Sequence, residues 1–297
     1  MPPQQHMQGG NQQQQQARKR QLRIASHNVC GMHQQRKVQL LVRMWMELDL
    51  DVICVQETHV HVDECAAVQD MVDAAAQAID PQHGGFQVVW ACNCHQAAAR
   101  SAGVAVLMRR SLLTEQDMMV TSMHANPHPT GRLLTIPVRW GGHNLHIVAV
   151  YLPNTEVEQQ LFIQSVLQPA VHERQDCVVV GDWNFVPDGG LDRISSAAGG
   201  GVHHAAAAHC FSVQCPDLVD VFRQLHPTRR VYTHHGPTSA ARLDRVHISG
   251  LLQQYVVSCG VGNVPVSDHR PVWIQVGAKD NPLGPGMRRA RLSAIWG

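Results

Sequence analysis

The feature that most restricts the fold of this chain is a series of short apolar, β-branched runs, each ending at a polar residue. LRIAS leads to Asn28, DVICVQ to Glu57, LHIVAV to Tyr151 and Asn154, and CVVVG to Asp182 and Asn184. Asp268 and His269 precede PVWIQV. Runs of this length with this composition read as buried strands, and none approaches the ~18 apolar residues of a membrane span. Polar side chains at strand ends are held rigidly and tend to face one rim.

Helical spacing fills the intervals. Residues 37–48 carry Val38, Leu41, Val42, Trp45 and Leu48 on one face, 62–79 is Ala-rich, and 156–167 and 218–225 read as two further helices. FQVVW, GVAVLM, LLTIPV, RLDRVHIS and YVVSCGV add strands, with Gly, Pro and Asn between several of them. Residues 195–208, rich in Gly, Ala and His, read as a flexible insertion. Hairpin-like strand runs mixed with helices predict an α/β fold: a four-layer α/β sandwich, with two packed mixed β-sheets flanked by helices.

Three regions are expected. Residues 1–20 are Gln-rich and nearly free of apolar side chains, so they read as a disordered leader. Residues 21–278 form the folded domain, and 279–297 a polar, linker-like tail. The hydrophobic fraction of 44% in 297 residues supports a large core. With a net charge of +1, nucleic-acid contact would need local basic patches such as Arg109–Arg110, Arg229–Arg230, Arg242 and Arg245. The nine cysteines are scattered, several within apolar runs, which suits a reduced compartment better than a disulfide scaffold. Cys92, Cys94 and His95 cluster without the second half of a zinc motif. No apolar leader precedes the domain, so a nuclear or cytoplasmic protein is expected, neither secreted nor membrane-bound.

Each polar strand end has a bland reading alone: Gln-Glu as a solvated loop, GDWN as a turn, SDH as a strand start. Their ordered conjunction points to hydrolysis of a phosphodiester. That chemistry needs charge opposite the non-bridging oxygens, a base for water, and donors that hold the phosphoryl group. The site is then asked for roughly 20 kcal/mol, beyond any single carboxylate. Hard oxygen ligands such as Glu57 and Asp268 suit Mg²⁺, with Mn²⁺ as an alternative.

HNVCG, VQETH, VYLPN, GDWNFVPD, RLDR and SDHRPV resemble, in order, the motifs of the endonuclease/exonuclease/phosphatase superfamily. They cover roughly residues 22–276. The resemblance is closest to the apurinic-like endonuclease domain of non-LTR retrotransposons. LVDVFRQLHPTRRVYT followed by SAARLDR is similar to the stretch before the fifth motif there, and GPGMRRARLSAI resembles the Gly-Pro-Gly-x-Trp-Arg linker to a reverse transcriptase, with Arg288 in place of the Trp. No polymerase lies in the chain, so an isolated or truncated element is the expectation. The resemblance implies roles. Glu57 and Asp268 would ligate the metal, with Asn28 near metal and phosphate. Asp182 would orient or deprotonate water, Asn184 would hold the phosphate, and His269 would donate to it, oriented by Asp244. Tyr151 and Asn154 would clamp the phosphate and stabilise the leaving group. Arg193 would support the site from behind, whereas Asp192 reads equally well as a structural ion-pair partner. The sequence departs from the family pattern at His27, where an aromatic is common, at Cys30, where many repair members carry an acid, at His59 in place of Lys, and at Trp183 in place of Phe. The Cys30 departure puts strong abasic-site repair in doubt.

Three functions follow from these residues. The first is a DNA endonuclease nicking one strand, acting as a monomer, with a reverse transcriptase of the same element as partner. The second is a phosphoesterase acting on small molecules or lipids. The third is an inactive transposon relic.

Overall fold

The computed structural model describes residues 21–82, 84–93, 102–112, 121–172, 174–195, 204–263 and 266–278. The expected leader, the tail with Arg288, Cys94, His95 and residues 196–203 lie outside them. Two six-stranded sheets form the centre. The first runs in the order β14 (Val256–Val261), β15 (Val272–Gly277), β1 (Gln21–Asn28), β2 (Val52–Gln56), β4 (Val104–Arg109), β3 (Phe86–Ala91). The second runs β10 (Leu218–Asp220), β13 (Asp244–Ser249), β8 (Cys177–Asp182), β7 (His143–Tyr151), β6 (Leu133–Trp140), β5 (Asn126–Pro127). β11 (His234–His235), β12 (Ser239–Ala241) and β9 (Arg193–Ser195) pair into a third, small sheet.

The strands bury both faces because their side chains alternate between two apolar environments. Ile24, Val52, Cys54, Val104 and Val106 meet Ile136, Ile147, Ala149, Val178, Val180, Val246 and Ile248 between the sheets. The opposite positions Ala25, Ile53, Val55, Ala105 and Leu107 pack under the helices Gln35–Glu47 and Cys65–Ile79. Val148, Val150 and Val179 pack under the helices Glu156–Phe162 and Ala205–Gln214. This is the expected four-layer sandwich of helix, sheet, sheet and helix. Among the described residues no helix is long and apolar enough to cross a membrane.

Element boundaries differ from the sequence expectation in four places. The helix expected at 62–79 begins as a 3₁₀ turn, Val62–Glu64, closed by His61 and Glu64 capping each other's backbone. The one expected at 156–167 runs on through a π turn, Ile163–Leu167, to Gln168–Val171. Pro169 brings no N–H to the helix, and the widened turn ahead of it absorbs the mismatch. Leu218–Asp220 is a strand paired with Ser249–His247, and only Val221–Leu225 is helical, capped by Asp220 accepting from Arg223 N. The described end of the expected insertion is the start of a helix, because Ala207, Cys210 and Phe211 bury one face of it.

The topology turns these strands into one rim. In the parallel pair β7–β8 Tyr151 lies beside Asp182, and in the antiparallel pair β8–β13 Asp182 lies beside Asp244. In the parallel pair β1–β2 Asn28 lies beside Gln56, so Glu57 follows at the same level. Gly181 is required for this approach, since a Cβ there would stand 1.9 Å from the Val150 carbonyl oxygen. The clash is with backbone and cannot relax by a rotamer change. Gly181→Ala is therefore expected to cost about 1–3 kcal/mol, seen as a lower midpoint in urea unfolding at unchanged slope.

Candidate active site

Asn28 is the hinge of the rim. It is buried at the end of β1, and its Nδ2 donates to Glu57 Oε1 at 2.8 Å and to Asp182 Oδ2 at 3.0 Å. Its Oδ1 accepts from Cys30 N at 3.1 Å. One amide thus ties a carboxylate of the first sheet to one of the second. Four rim residues hold left-handed backbone: Cys30, Glu57, His59 and Asn184, with φ of 50°, 53°, 54° and 50°. Such residues cost roughly 1–3 kcal/mol each and persist where the surroundings over-determine them. Glu57 Oε2 lies 3.4 Å from His59 Nε2. Burial works against its charge, but hydrogen bonds from His59, Asn28 and Tyr151 outweigh it and hold the carboxyl down at about 2.

The second sheet supplies the buried acid. Asp182 Oδ1 accepts from Asn184 N at 3.0 Å. Burial, and then the neighbouring Asp244, raise the Asp182 pKa above the usual carboxylate range, against His269, Asn28 and Asn184. Asn184 Nδ2 donates to Leu152 O at 2.8 Å and Asn154 Oδ1 at 3.0 Å. His269 Nδ1 is 2.8 Å from Asp244 Oδ2, and its Nε2 is 3.9 Å from Asp182 Oδ2. Burial opposes the imidazolium, yet Asp244, by charge and hydrogen bond, with Asp182 and Asp268 behind it, lifts His269 to about 10. Tyr151 reaches Glu57 by a hydrogen bond, and Arg132 covers its ring at 4.7 Å.

Asn28, Glu57, Tyr151, Asn154, Asp182, Asn184, Asp244 and His269 are thus joined by contacts at one rim. Asp268 is half exposed, with Oδ2 3.6 Å from His234 Nε2. Arg193 is carried by β9 of the small sheet, opposite Ala241. His27, behind the rim, is buried, accepts from Trp45 Nε1 at 3.3 Å, and is pushed down to about 4 by burial.

Several basic residues expected to contact a nucleic-acid backbone are committed elsewhere. Arg109 pairs with Asp49 at 3.0 Å and Asp51 at 3.4 Å, and Arg110 with Asp73 at 2.7 Å. Arg242 and Arg245 are each 1% exposed. Arg242 bonds Asp192 at 2.6 Å and Asp220 at 2.8 Å, while Arg245 lies against Phe185 and donates to its carbonyl at 2.7 Å. Arg229 and Arg230 remain exposed. Asp192, fully buried between Arg223 and Arg242, is the structural ion-pair partner. Removing its charge leaves buried guanidinium groups short of a counter-ion, so Asp192→Asn is expected to lower unfolding stability by about 2–3 kcal/mol in denaturant melts.

Three residues that the sequence reasoning passed over hold the rim together. Ser267 Oγ donates to Asn28 O at 2.9 Å and accepts from His269 N at 3.2 Å. Thr233 Oγ1 accepts from Asp244 N at 3.0 Å. The buried Gln159 Nε2 donates to Pro153 O and Asn184 O, tying the Asn154 and Asn184 loops. A Gln at a buried position of an amphipathic helix was the available signal for the last.

Known proteins bear on this geometry. A Xenopus laevis protein described as the transposon TX1 uncharacterized 149 kDa protein is 29% identical over 174 residues, covering 56% of this chain; the match spans 12% of that protein. The AP endonuclease LMAP from Leishmania major superposes with a TM-score of 0.67 at 20% identity, over 88% of this chain and 89% of that one. The 3′ phosphatase NExo from Neisseria, solved with product DNA hairpin, gives 0.64 at 17% identity, over 86% and 99%. At these identities the two structures establish the fold. Residues 25–269 match the Endonuclease/Exonuclease/phosphatase family across nearly the whole described domain, and the chain belongs to that family of phosphoester-hydrolysing enzymes.

Proposed function

We propose that the chain is a DNA endonuclease that uses Mg²⁺, or Mn²⁺ in its place, to nick one strand and leave a 3′-hydroxyl. The observation that carries this reading is the double donation of Asn28 to Glu57 and Asp182, on the same rim as the Asp244–His269 pair. The family is divalent-metal dependent. The residues present fit such an ion: Glu57, Asp182 and Asp244 bring three carboxylates to a largely buried rim that His269 offsets with a single charge. Hard oxygen donors in excess of cation suit a small divalent metal. Glu57 would hold it, with Asn28 beside it and Asp268 adding negative charge. When bound, it supplies positive charge opposite the phosphate oxygens.

The chain's own groups do the rest. Asp182, its pKa raised, orients water and takes its proton. His269, kept as imidazolium, donates from Nε2 to a phosphate oxygen, with Asp244 fixing the ring through Nδ1. Asn184 holds the phosphate; its Nδ2 protons are engaged by Leu152 and Asn154, so the Asn154 bond is the one exchanged for phosphate. Tyr151 and Asn154 clamp the ester and steady the leaving oxygen, and Arg193 supports the Asp182 loop from β9.

DNA as the substrate is supported by the transposon relative and by the DNA hairpin on the Neisseria enzyme. Arg229 and Arg230 are both exposed and would contact backbone phosphates. A reverse transcriptase of the same element would use the 3′-hydroxyl, and the chain works as a monomer. A plasmid-nicking assay with Mg²⁺ tests the reading: the wild type converts supercoiled to open-circular DNA, and His269→Ala falls by about 10²–10³-fold. Absence of nicking alongside hydrolysis of inositol phosphates or sphingomyelin would move the same chemistry to a small ester.

A further inference from the structure

The β11–β12 hairpin brings to the rim an imidazole that the proposed hydrolysis leaves unused. His234 forms an isolated antiparallel bridge with His269, His235 N donates to Asp268 O at 3.1 Å, and Arg270 N donates to Thr233 O at 2.7 Å. The hairpin is therefore locked, backbone to backbone, against the segment that carries His269. The His234 and His269 rings lie 4.6 Å apart, tilted by 47°, and His234 Nε2 is 3.6 Å from Asp268 Oδ2. One ligand atom from each of His234, Asp268 and His269 lies within 4.8 Å of the other two.

We propose that His234, Asp268 and His269 form a binding site for a borderline-soft divalent metal of the zinc type, with a donor set that leaves out the hard oxygens of Glu57. Two imidazoles and one carboxylate are a donor set that zinc accepts and magnesium does not seek. Bonds of about 2.0–2.1 Å put the ligands of a tetrahedral zinc roughly 3.3 Å apart, so small side-chain rotations close the cluster. Asp244 on His269 Nδ1 is the outer carboxylate that orients a ligating imidazole with Nε2 toward the metal. His234 is 27% and Asp268 53% exposed, which leaves a path of entry and an open position for water. A mere ion pair between such exposed groups, at 3.6 Å, would be worth little and would not call for a second imidazole. Binding releases the Nε2 proton of His269 to solvent. If the proposed hydrolysis holds, the metal then takes the atom that would donate to phosphate, and zinc inhibits.

Zinc titration by calorimetry and Co²⁺ absorption, on the full chain in saturating Mg²⁺ without substrate, test the site. Cys65 and Cys92, with Sγ atoms 3.4 Å apart, are the rival soft pair, so Cys65→Ser is measured in parallel. The expected result is a site with a nitrogen and oxygen Co²⁺ spectrum, kept in Cys65→Ser and weakened by about 100-fold or more in both His234→Gln and His234→Ala, with melting curves confirming that both fold. Zinc binding unchanged in the His234 variants, or abolished by Cys65→Ser alone, overturns the site. Nicking is assayed separately, so a chain that binds zinc through His234 but nicks no DNA sinks the endonuclease and leaves the site standing.

Discussion

Asp182→Asn is expected to lower the Mg²⁺-supported nicking rate by about 10³–10⁴-fold while leaving the protein at least as stable without metal. The two effects share one cause. The Asp182 carboxylate is buried and faces Asp244, and its pKa is raised above its ordinary 3.8. A carboxylate with a raised folded pKa costs stability in its charged form at neutral pH. That cost is relieved as pH falls through the folded value toward the unfolded one. The amide carries no charge, so the penalty disappears, but so does the base for water. One hydrogen bond is also lost, because an amide nitrogen at Oδ2 would face Asn28 Nδ2 donor to donor. Thermal melts across pH and single-turnover nicking at saturating Mg²⁺ check both halves. A variant that nicks within tenfold of wild type removes Asp182 from the chemistry. One that is destabilised by several degrees shows instead that the carboxylate holds the fold.

The rim was legible because its residues sit where apolar runs stop or start, and a strand end fixes a side chain's position without long-range knowledge. Asn28, Glu57, Tyr151, Asp182 and His269 all obey that rule. What it could not supply is the identity of contacts between segments distant in sequence. Ser267 bonding Asn28 O, or Thr233 bonding Asp244 N, joins residues more than ten positions apart through single hydroxyls, and no periodicity encodes such a bond. Charge misled for the complementary reason. Arg242 and Arg245 look like phosphate contacts in a string of letters, yet Arg245 lies on a strand whose six residues are all buried, and Arg242, just before it, is itself 1% exposed. The Arg242 partners Asp220 and Asp192 arrive from β10 and from the loop before β9 respectively, while Arg245 donates to Phe185 O. Leu218–Asp220 is a strand for a similar reason: its helical spacing is real, but the vacant edge of β13 captures it.

Asp244→Asn is expected to cost about 10²–10⁴-fold in nicking at pH 8 and to change the shape of the pH profile. In the wild type, Asp244, by charge and hydrogen bond, overcomes burial and lifts His269 from 6.5 to about 10. The imidazolium therefore persists through neutral and mildly alkaline pH. Its contribution to stability is fully present below pH 6.5 and is lost as pH rises through the folded value. With an amide at position 244 the burial of His269 is opposed only by Asp182 and Asp268, and its pKa falls toward the neutral range. The variant then keeps the donor proton only at lower pH, so its residual nicking declines through the neutral region where the wild type through this group holds level. The ring also loses its anchor at Nδ1, a hydrogen bond of 2.8 Å, so activity at low pH recovers only in part. NMR titration of the His269 ring in both proteins, beside nicking rates from pH 5.5 to 9.5, separates charge from orientation. A His269 that titrates at the same pH in both would mean that Asp244 positions the ring without holding its proton.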